Sequence, residues 1–526
     1  MMRKYLFLLC LLLFTVGAQA QFSGNGSGTA NDPYQITDAY ELSEVRNDLT
    51  ASYKLMNDID LTEWINDNNP TAGWAPIGTG GTSFSGTFDG NNKCIYGLKI
   101  DRSSLDYIGL FGNCGGTISN VMLVKPIIKG RDNVGLFGYN YGKISNVILV
   151  KPIIEGRDNV GGLSGYSLST MIANCLVISG VVTGRSYVGG VVGYLGNSIT
   201  GCYCNTIVMG TDNVGGIVGG LKGTATNNIF SGNVSATGQH SGGVSGCYIT
   251  NSTSDFVKYN YVMGSMKGKE SVGGIIGVSS KSNGYISNNV CIADEISTTS
   301  SSYIPYRISQ LVGTGNLAWA KTRLFQNGKE IVAEDNKQNG TSYGEKTLKR
   351  STTYIGIGWD FNNTWTIAEG ESYPYLKAQT DYPTVTSCEA GSKCLVKGTA
   401  PTGGKITVIA GEGIYSSTIL DNSWEVSLGA MKEGEVIQVF SQMEGKLPSL
   451  VVTAVVTKGG GISPDIVKGD ANGDSSVDTA DVVAIVNHIL GKSSVSFVEG
   501  NADLNGDGQV SVDDAVATVQ LILDKQ

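Results

Sequence analysis

Two neighbouring stretches of this chain are nearly identical. Residues 118–135 read ISNVMLVKPIIKGRDNVG, and residues 144–161 read ISNVILVKPIIEGRDNVG. The same region repeats the short unit Gly-apolar-x-Gly, whose seven copies begin at Gly109, Gly135, Gly162, Gly190, Gly216, Gly243 and Gly274. A self-similar period of about 26 residues is typical of a solenoid, and β-branched segments between glycine turns indicate coils built from strands.

Three columns of residues line up when the repeats are aligned. The first contains Ile118, Ile144, Ile172, Ile199, Ala225, Val257 and Ile286. The second, two residues later, contains Asn120, Asn146, Asn174, Gly201, Asn227, Tyr259 and Asn288. The third, two residues later again, contains Met122, Ile148, Leu176, Tyr203, Ile229, Tyr261 and Val290. Period-two alternation predicts that all three columns face the interior of a parallel β-helix, with the asparagine amides stacked at about 4.8 Å per coil.

Composition restricts the classes of function. Among 526 residues, 73 are glycine and 2 are histidine, and the net charge is −9. The scarcity of histidine argues against most His-based catalysis, and the acidic balance argues against nucleic acid as a partner. Residues 1–20 have the pattern of a signal peptide, with Arg3 and Lys4 before an apolar run and Ala18-Gln19-Ala20 at its end. We therefore expect an exported protein, secreted or attached to the cell surface, without a membrane span.

The remaining sequence divides by composition into six segments. The predicted segments are an N-terminal cap with the first coils (21–100), the repeats (101–300), a C-terminal cap (301–380), a small β module (381–458), a linker (459–466) and a terminal domain (467–526). In the β module, four alternating segments at 405–409, 423–428, 436–440 and 450–455 surround Trp424. This pattern predicts a β-sandwich, and the module resembles bacterial immunoglobulin-like domains. The spacing of Cys388 and Cys394 permits a disulfide bond between them but does not establish one.

An acidic column precedes the glycine units. It contains Asp106, Asp132, Asp158, Ser186, Asp212, Gln239 and Glu270, with Arg131, Arg157 and Arg185 beside it. Carboxylates on adjacent coils would lie about 5 Å apart, which is a separation that a retaining glycosidase uses. We considered catalysis, a weak cation-binding or glycan-binding stripe, and a solvated turn in which arginines offset repulsion. We favour the last because the column belongs to the repeat itself, and we predict no catalytic residue.

The end of the chain carries the most specific chemistry. From Val467 onward there are ten acidic and three basic residues, a balance of −7. Two loops place oxygen ligands at positions 1, 3, 5, 7 and 12, namely Asp470, Asn472, Asp474, Ser476 and Asp481, then Asp503, Asn505, Asp507, Gln509 and Asp514. Such spacing suits Ca²⁺, and two ions are predicted. Each loop leads into a helix whose apolar positions are expected to pack together, namely Val483, Val486, Ile489 and Leu490, then Val516, Val519, Ile522 and Leu523.

Two resemblances add to these inferences. The Gly-apolar-x-Gly units, with Asp32-Pro33-Tyr34 before them and Gly358-Trp359-Asp360-Phe361 after them, resemble the GLUG-motif repeat family over residues 23–378. That resemblance implies an exported surface or adhesin-like protein. The tail, with aspartate rather than glutamate at loop position 12, resembles a type I dockerin over about residues 467–524. This implies a cohesin-like partner contacted by positions 10 and 11 of each loop, here Thr479, Ala480, Val512 and Asp513. Ser475 departs from the usual glycine at position 6 of the first loop.

Together, these patterns predict a non-catalytic, exported binding or adhesion protein. Its ligand is expected to be a glycan or a host or surface protein, and its calcium-binding tail is expected to dock to a cohesin-like partner. The alternative is a component or enzyme of a polysaccharide catabolic system, either a glycoside hydrolase or a polysaccharide lyase. A second alternative is that calcium rigidifies the tail and that the tail has no docking partner.

Overall fold

The fold is mainly β, as the repeat predicts. The computed structural model describes residues 22–168, 171–250, 252–280, 285–391, 393–457, 469–472, 477, 479–490, 497–504 and 509–523. The predicted signal peptide and linker lie outside the described residues. The chain forms two compact units, residues 1–379 and 380–526. The first contains a parallel β-solenoid of about nine turns, and the second contains a small β-sandwich and a pair of helices.

Three sheets form the solenoid, and their strands pair in parallel except that Lys329–Ile331 runs antiparallel to Arg323–Gln326. The largest contains Tyr34–Ile36, Ser52–Leu55, Ile59–Asp60, Thr87–Tyr96, Lys99–Asp101, Thr117–Val124, Ile127–Lys129, Lys143–Val150, Ile153–Glu155, Met171–Ala173, Leu176–Thr183, Ser198–Thr200, Tyr203–Gly210, Thr224–Thr226, Ile229–Phe230, Asn233–Ala236, Val257–Lys258, Tyr261–Val262, Ser265–Gly268, Ile286–Ser287, Val290–Cys291, Glu295–Thr298, Leu317–Trp319, Arg323–Gln326, Lys329–Ile331 and Thr341–Tyr343. The second contains Phe111–Cys114, Phe137–Asn140, Ser164–Ser167, Val192–Leu195, Val218–Leu221, Ser245–Tyr248 and Ile276–Ser279. The third contains Asp132–Val134, Asp158–Gly161, Ser186–Gly189, Asp212–Gly215, Gln239–Gly242 and Glu270–Gly273.

The first predicted column is confirmed by the register of the strands. Ile144 pairs with Ile118 on one side and with Ile172 on the other, and the same pairing continues through Ile199, Ala225, Val257 and Ile286. All seven side chains are buried. Each coil therefore presents one apolar residue at this place to the coils above and below, and burial of a full column stabilises the stack.

The prediction for the other two columns is correct only in part. Asn146 Nδ2 does donate to Asn120 Oδ1 at 3.0 Å, and the third column is buried from Ile148 to Val290, but neither column faces the interior. Asn120 and its equivalents have a positive φ, 57° at Asn120 itself, and are half-buried at a bend of the coil. A left-handed residue interrupts the period-two alternation, so the interior receives Val121 and Leu123 rather than Met122. The third column consequently lies on the outer side of the sheet. At Tyr261 it is covered by aromatic side chains from the C-terminal part of this unit.

A buried amide ladder does exist, one residue further along the coil. It contains Asn228, Asn260, Asn289 and Asn316. The Nδ2 of each of the first three donates to the Oδ1 of the next at 3.0 to 3.1 Å, and the same Oδ1 also accepts the backbone N–H of the preceding coil's residue. In earlier coils the same column holds Val121, Val147, Cys175 and Cys202. The polar ladder is tolerated inside because its amides are paired.

The glycine units lie at the corner between the second and third sheets. A Cβ atom on Gly109 would lie 2.4 Å from the carbonyl oxygen of Gly135, and one on Gly138 would lie 2.4 Å from the carbonyl carbon of Tyr107. The backbones of adjacent coils approach too closely there for any side chain. This close approach explains why both glycines recur in every coil.

Helical segments lie between the first strands of the solenoid and after its last coil. Helix α1 (Ala39–Glu44) is capped by Asp38, which accepts the N–H of Glu41, and a short 3₁₀ turn (Val45–Asn47) follows it. Helix α2 (Thr62–Asn68) comes after the strand Ile59–Asp60. After the coils come α3 (Glu345–Leu348), α4 (Ser351–Ile355) and an antiparallel pair, Trp365–Thr366 with Tyr375–Leu376. Trp359 Nε1 donates to Asn288 O and Trp365 Nε1 to Asn227 Oδ1. These tryptophans therefore pack against the side of the coils.

The predicted β-sandwich is confirmed. One antiparallel sheet contains Thr384–Cys388, Leu395–Thr399 and Ser423–Ser427, and the other contains Gly413–Thr418, Lys405–Ala410, Val436–Gln442 and Val452–Val455. Trp424 is buried in their shared core. The fourth strand, Gly413–Thr418, joins the second sheet rather than the first, which distinguishes the topology from that of constant-type immunoglobulin domains. Cys388 and Cys394 are free thiols whose Sγ atoms lie 3.6 Å apart.

Candidate calcium and docking site

Two helices and the loops before them form the candidate site. Helix α5 (Thr479–Ile489) follows the first predicted loop, the short helix α6 (Glu499–Ala502) precedes the second loop, and α7 (Val512–Leu523) follows it. Of the predicted calcium ligands, Asp474, Ser476, Asn505 and Asp507 lie outside the described residues. The other six are described, and they occupy both ends of the two loops.

The aspartates at loop position 12 are fully buried. Asp481 Oδ1 accepts the backbone N–H of Asn472 at 3.0 Å, and Asp514 Oδ1 accepts the N–H of Leu504 at 2.9 Å. The other oxygen of Asp514, Oδ2, accepts from both the backbone N–H and the hydroxyl of Ser511, at 2.9 and 3.1 Å. Each carboxylate thus reaches back from the first turn of its helix to the start of its own loop.

This arrangement fits a divalent cation. Asp470 at position 1 of the first loop is 3% exposed, and Asp481 at position 12 is 0% exposed. Burying carboxylates away from water is costly unless a cation or several donors compensate for the lost hydration. In the second loop, Asp503 is half-buried and Gln509 is exposed. A bound Ca²⁺ would supply positive charge to the carboxylates and join the start of each loop to its helix.

The two halves are joined by backbone and amide contacts. Gly469 N–H donates to Asn501 O at 2.8 Å, Asn501 Nδ2 donates to Asp470 O at 3.0 Å, and Val498 N–H donates to Ala471 O at 2.9 Å. The buried core of this part is small and contains Ala471, Ile485, Ala502 and Ala515. The start of the first loop is therefore held against the second half by three hydrogen bonds, beside a small apolar core.

The predicted packing of the two apolar helix faces is wrong. Val483 is 58% exposed, Leu490 63% and Val516 61%. Helices α5 and α7 instead meet through the opposite side, where Ile485, Ala515 and Thr518 are buried. The small residues of that side allow the helices to approach closely, and the larger apolar residues are left facing solvent.

Two exposed apolar stripes result from this arrangement. On α5, Thr479, Val483, Val486 and Leu490 follow helical spacing along one face, and on α7, Val512, Val516 and Val519 do the same. The predicted contact residues Thr479 and Val512 begin these stripes, and Ala480 and Asp513 lie beside them. All four are exposed. Contiguous exposed apolar surface of this kind marks interaction sites.

The acidic column of the solenoid forms ion pairs between coils. Arg131 donates from Nε and Nη2 to both carboxylate oxygens of Asp106, each at 2.7 Å. Arg157 forms the same bidentate ion pair with Asp132, and Arg185 forms it with Asp158. The hydrogen bonds from Arg131 lower the pKa of Asp106. These carboxylates are thus engaged by arginine, as the solvated-turn interpretation predicts.

Asp212 and His240 differ from the rest of that column. Gly238 stands where the earlier coils have arginine, and Asp212 Oδ1 accepts the backbone N–H of Gln239 at 2.7 Å. His240 Nδ1 lies 2.8 Å from Asn213 Oδ1, and burial lowers the pKa of His240. Within the described residues, no group of three or more His, Cys, Asp or Glu side chains is placed to hold a metal ion.

A row of tyrosines on the solenoid was missed in the sequence. Tyr139, Tyr166 and Tyr194 each follow the second glycine of a unit and pair in register on the second sheet. Their rings stack, with centroids 5.4 and 4.8 Å apart and interplanar angles of 6° and 13°. Tyr107 packs against one end at 6.1 Å and Tyr187 against the other at 5.6 Å. Their fixed place after the glycine units is the signal that would have revealed them.

A known domain family matches the end of the chain. The description "Dockerin type I domain" matches residues 468–522. This part of the chain is therefore a type I dockerin domain, the class that binds calcium, occurs in extracellular or cell-surface modular proteins and docks to cohesins. None of the helices within the described ranges is long and apolar enough to cross a membrane.

Shorter similarities connect other parts of the chain to known proteins. The chain is 38% identical over 123 residues to a "Putative Gly-rich membrane protein" of Evansella cellulosilytica, covering 22% of this chain and 14% of that protein. It is 36% identical over 114 residues to Halomucin of Haloquadratum walsbyi, covering 20% of this chain and 1% of that protein. The chain thus spans a small fraction of these relatives. A solved "putative immunoglobulin A1 protease from Bacteroides ovatus" aligns at 20% identity with a TM-score of 0.39, covering 67% of this chain and 94% of that one.

Proposed function

We propose that this is an exported, non-catalytic, modular binding protein whose C-terminal dockerin domain docks to a cohesin-like partner when calcium is bound. The observation that carries the proposal is the pair of exposed apolar stripes on α5 and α7, directly after the calcium loops. In this proposal, two Ca²⁺ ions are held by the ten predicted loop residues, and Thr479, Ala480, Val512 and Asp513 contact the partner. The leader at residues 1–20 directs export, and a glycan or a surface protein is the ligand of the solenoid.

The burial pattern supports a link between calcium and docking. Because Asp481 and Asp514 stand in the first turns of α5 and α7, the ions would fix the positions of both helices relative to the loops. The stripes begin in those same turns, at Thr479 and Val512. Calcium would therefore set the distance and the relative orientation of the two stripes. Without the ions, the two helices would no longer hold the stripes in the arrangement that the partner recognises.

A binding experiment with the full chain tests this proposal. The purified protein is passed over a panel of immobilised type I cohesin domains in 2 mM CaCl₂, and again in excess EGTA. We expect capture by at least one cohesin in calcium and release in EGTA. Val483→Asp together with Val516→Asp should abolish capture, because each places a charge in an apolar stripe. Failure of every cohesin to capture the calcium-loaded protein would contradict docking to this class.

A matched control separates docking from folding. Ile153 is a similarly exposed apolar residue, 44% exposed, on the outer face of the solenoid. Ile153→Asp should leave capture unchanged. The Val483→Asp, Val516→Asp variant should still bind calcium, as measured by calorimetric titration, because neither residue is a predicted ligand. Loss of calcium binding in that variant would mean that the stripe residues support the fold rather than the partner.

A further inference from the structure

The tyrosine row on the second sheet lies beside two parallel columns on the third sheet, and Tyr107 and Tyr187 of the third-sheet register contact it. Beside it runs an amide column, in which Asn159 Nδ2 donates to Asn133 Oδ1 at 3.0 Å. Tyr107 and Tyr187 occupy the same register as these asparagines and bound the column at its two ends. Asp106 and its arginine-paired equivalents immediately precede these residues in the chain. Aromatic rings, amides and ion pairs thus repeat side by side at each coil.

The polar atoms of the tyrosine row are available to a ligand. Tyr139, Tyr166 and Tyr194 are half-buried, and within the described part of the chain their hydroxyl groups make no hydrogen bond to the protein. A phenol both donates and accepts, and side-chain amides do the same. Because the rings are held rigidly by stacking, little conformational freedom is lost when a ligand binds.

The charge of the face favours an uncharged ligand. The three carboxylates of Asp106, Asp132 and Asp158 are matched by the guanidinium groups of Arg131, Arg157 and Arg185. Over the coils that carry these three pairs, the face therefore offers neither a free anionic nor a free cationic patch, and an acidic or basic polymer would gain little from it. A neutral ligand rich in hydroxyl groups loses no ionic contact here.

The periodicity of the face favours a repeating ligand. The aromatic row runs from Tyr107 to Tyr194 over three coil spacings, about 14 Å at about 4.8 Å per coil. The next residue in the register is Gly220, which has no side chain, so the row ends there. A chain of identical units can place each unit against an equivalent set of groups, so contacts within one chain add together. The surface of a globular protein without internal repeats has no such translational repeat.

We propose that the face formed by Tyr107, Tyr139, Tyr166, Tyr187 and Tyr194, together with Asn133 and Asn159, binds a neutral linear polysaccharide lying along the solenoid axis. The tyrosine hydroxyls and asparagine amides hydrogen-bond to sugar hydroxyls, and the ring edges pack against the carbon skeleton of the sugars. This inference rests on the proposed binding function of the solenoid, and it names the surface and the chemical class of ligand.

Affinity electrophoresis of the calcium-loaded full chain tests the proposal. Native gels contain mixed-linkage β-glucan, arabinoxylan or galactomannan, which are neutral, or polygalacturonate, which is charged. We expect retardation in at least one neutral gel and none in polygalacturonate. Tyr166→Ala should weaken the binding at least tenfold, whereas Ile153→Ala, an exposed apolar change on another face, should leave it unchanged. Affinity for oligosaccharides of the retarding polymer should rise with length and stop rising once they span the row.

A second variant distinguishes a loss of binding from a loss of folding. Replacement of Tyr139, Tyr166 and Tyr194 together by phenylalanine keeps the stacked rings and removes their hydroxyl groups. This variant should melt within a few degrees of the parent and bind at least threefold more weakly. Retardation that both tyrosine variants retain would overturn the assigned face while leaving a glycan ligand elsewhere. Absence of retardation in all neutral gels, or a preference for polygalacturonate, would overturn the inference. The docking function is tested separately, by calcium-dependent capture on cohesin.

Discussion

The solenoid and the dockerin domain keep polar groups inside for opposite reasons. In the solenoid, Asn260 is buried within a ladder that satisfies its amide by contacts to the coils on both sides, so repetition itself supplies the partners. In the dockerin domain, Asp481 and Asp514 are buried carboxylates that accept backbone N–H groups, and we expect a metal ion to offset their charge. Among the described residues of that domain, the buried core consists of three alanines and Ile485. The comparison teaches that neighbouring coils stabilise one region, whereas we expect the other to depend on an ion.

Calcium removal should separate the two regions most strongly. Excess EGTA should remove the helical signal of α5 and α7 from the far-ultraviolet circular dichroism and lower the unfolding temperature of this domain by roughly 20 °C or more, because each tightly bound ion contributes about 4 kcal/mol at a thousandfold excess over its Kd. Differential scanning calorimetry of the full chain measures both regions at once. The solenoid transition should not move, and a dockerin transition unchanged by EGTA would contradict dependence on calcium.

Interruption of the amide ladder should give the next largest effect. Asn260→Val would leave the N–H groups of Asn228 and the carbonyl of Ala225 without their partner, and we expect a loss of about 2–5 kcal/mol from the free energy of unfolding of the solenoid. Urea unfolding followed by circular dichroism measures it. The matched control is Cys175→Val in the same column outside the ladder, which should cost less than about 1 kcal/mol. Equal losses for the two variants would mean that the ladder contributes no more than packing.

The ion pairs on the solenoid surface should contribute least. Since Arg131 lowers the pKa of Asp106, the pairing stabilises the fold above the ordinary aspartate pKa of about 3.9 and loses this contribution as the pH falls through the lower folded value. In Arg131→Gln the melting temperature should therefore fall less steeply between pH 5 and pH 2 than in the parent. The difference should be small and should shrink in 1 M NaCl, because the groups are exposed. A difference that salt leaves intact would contradict a surface ion pair.

The sequence-based predictions succeeded where a local pattern is sufficient. The glycine units predicted strand coils, and the Ile118 column predicted a buried line in correct register. The spacing of Asp470 and Asp503 pointed to the dockerin loops, and the alternation around Trp424 predicted the sandwich. Each of these depends on a periodicity or a ligand spacing that neighbouring residues determine among themselves.

The failures share one physical cause, which is that orientation depends on distant contacts. The left-handed bend at Asn120 reverses the alternation after it, so the buried amides are those of Asn228 and its successors rather than those of the predicted column. In the dockerin domain, Val483 and Val516 have the apolar spacing of a packed face but point away from the helix pair. The spacing of apolar residues identifies an apolar face of a helix. It does not show whether that face packs against the rest of the same chain or against a partner protein.

By itself, the sequence determined that this chain stacks strand coils, that its last sixty residues form acidic loops before two helices, and that arginines stand beside the aspartate column. Those features follow from repeat length, backbone sterics of glycine and the ligand preferences of a hard cation. Only the tertiary structure decided which amides are buried, that Tyr139, Tyr166 and Tyr194 stack into one row, and which helix faces stay open. Stacking one coil on the next brings together residues about 26 positions apart, and no local pattern specifies the side on which they meet.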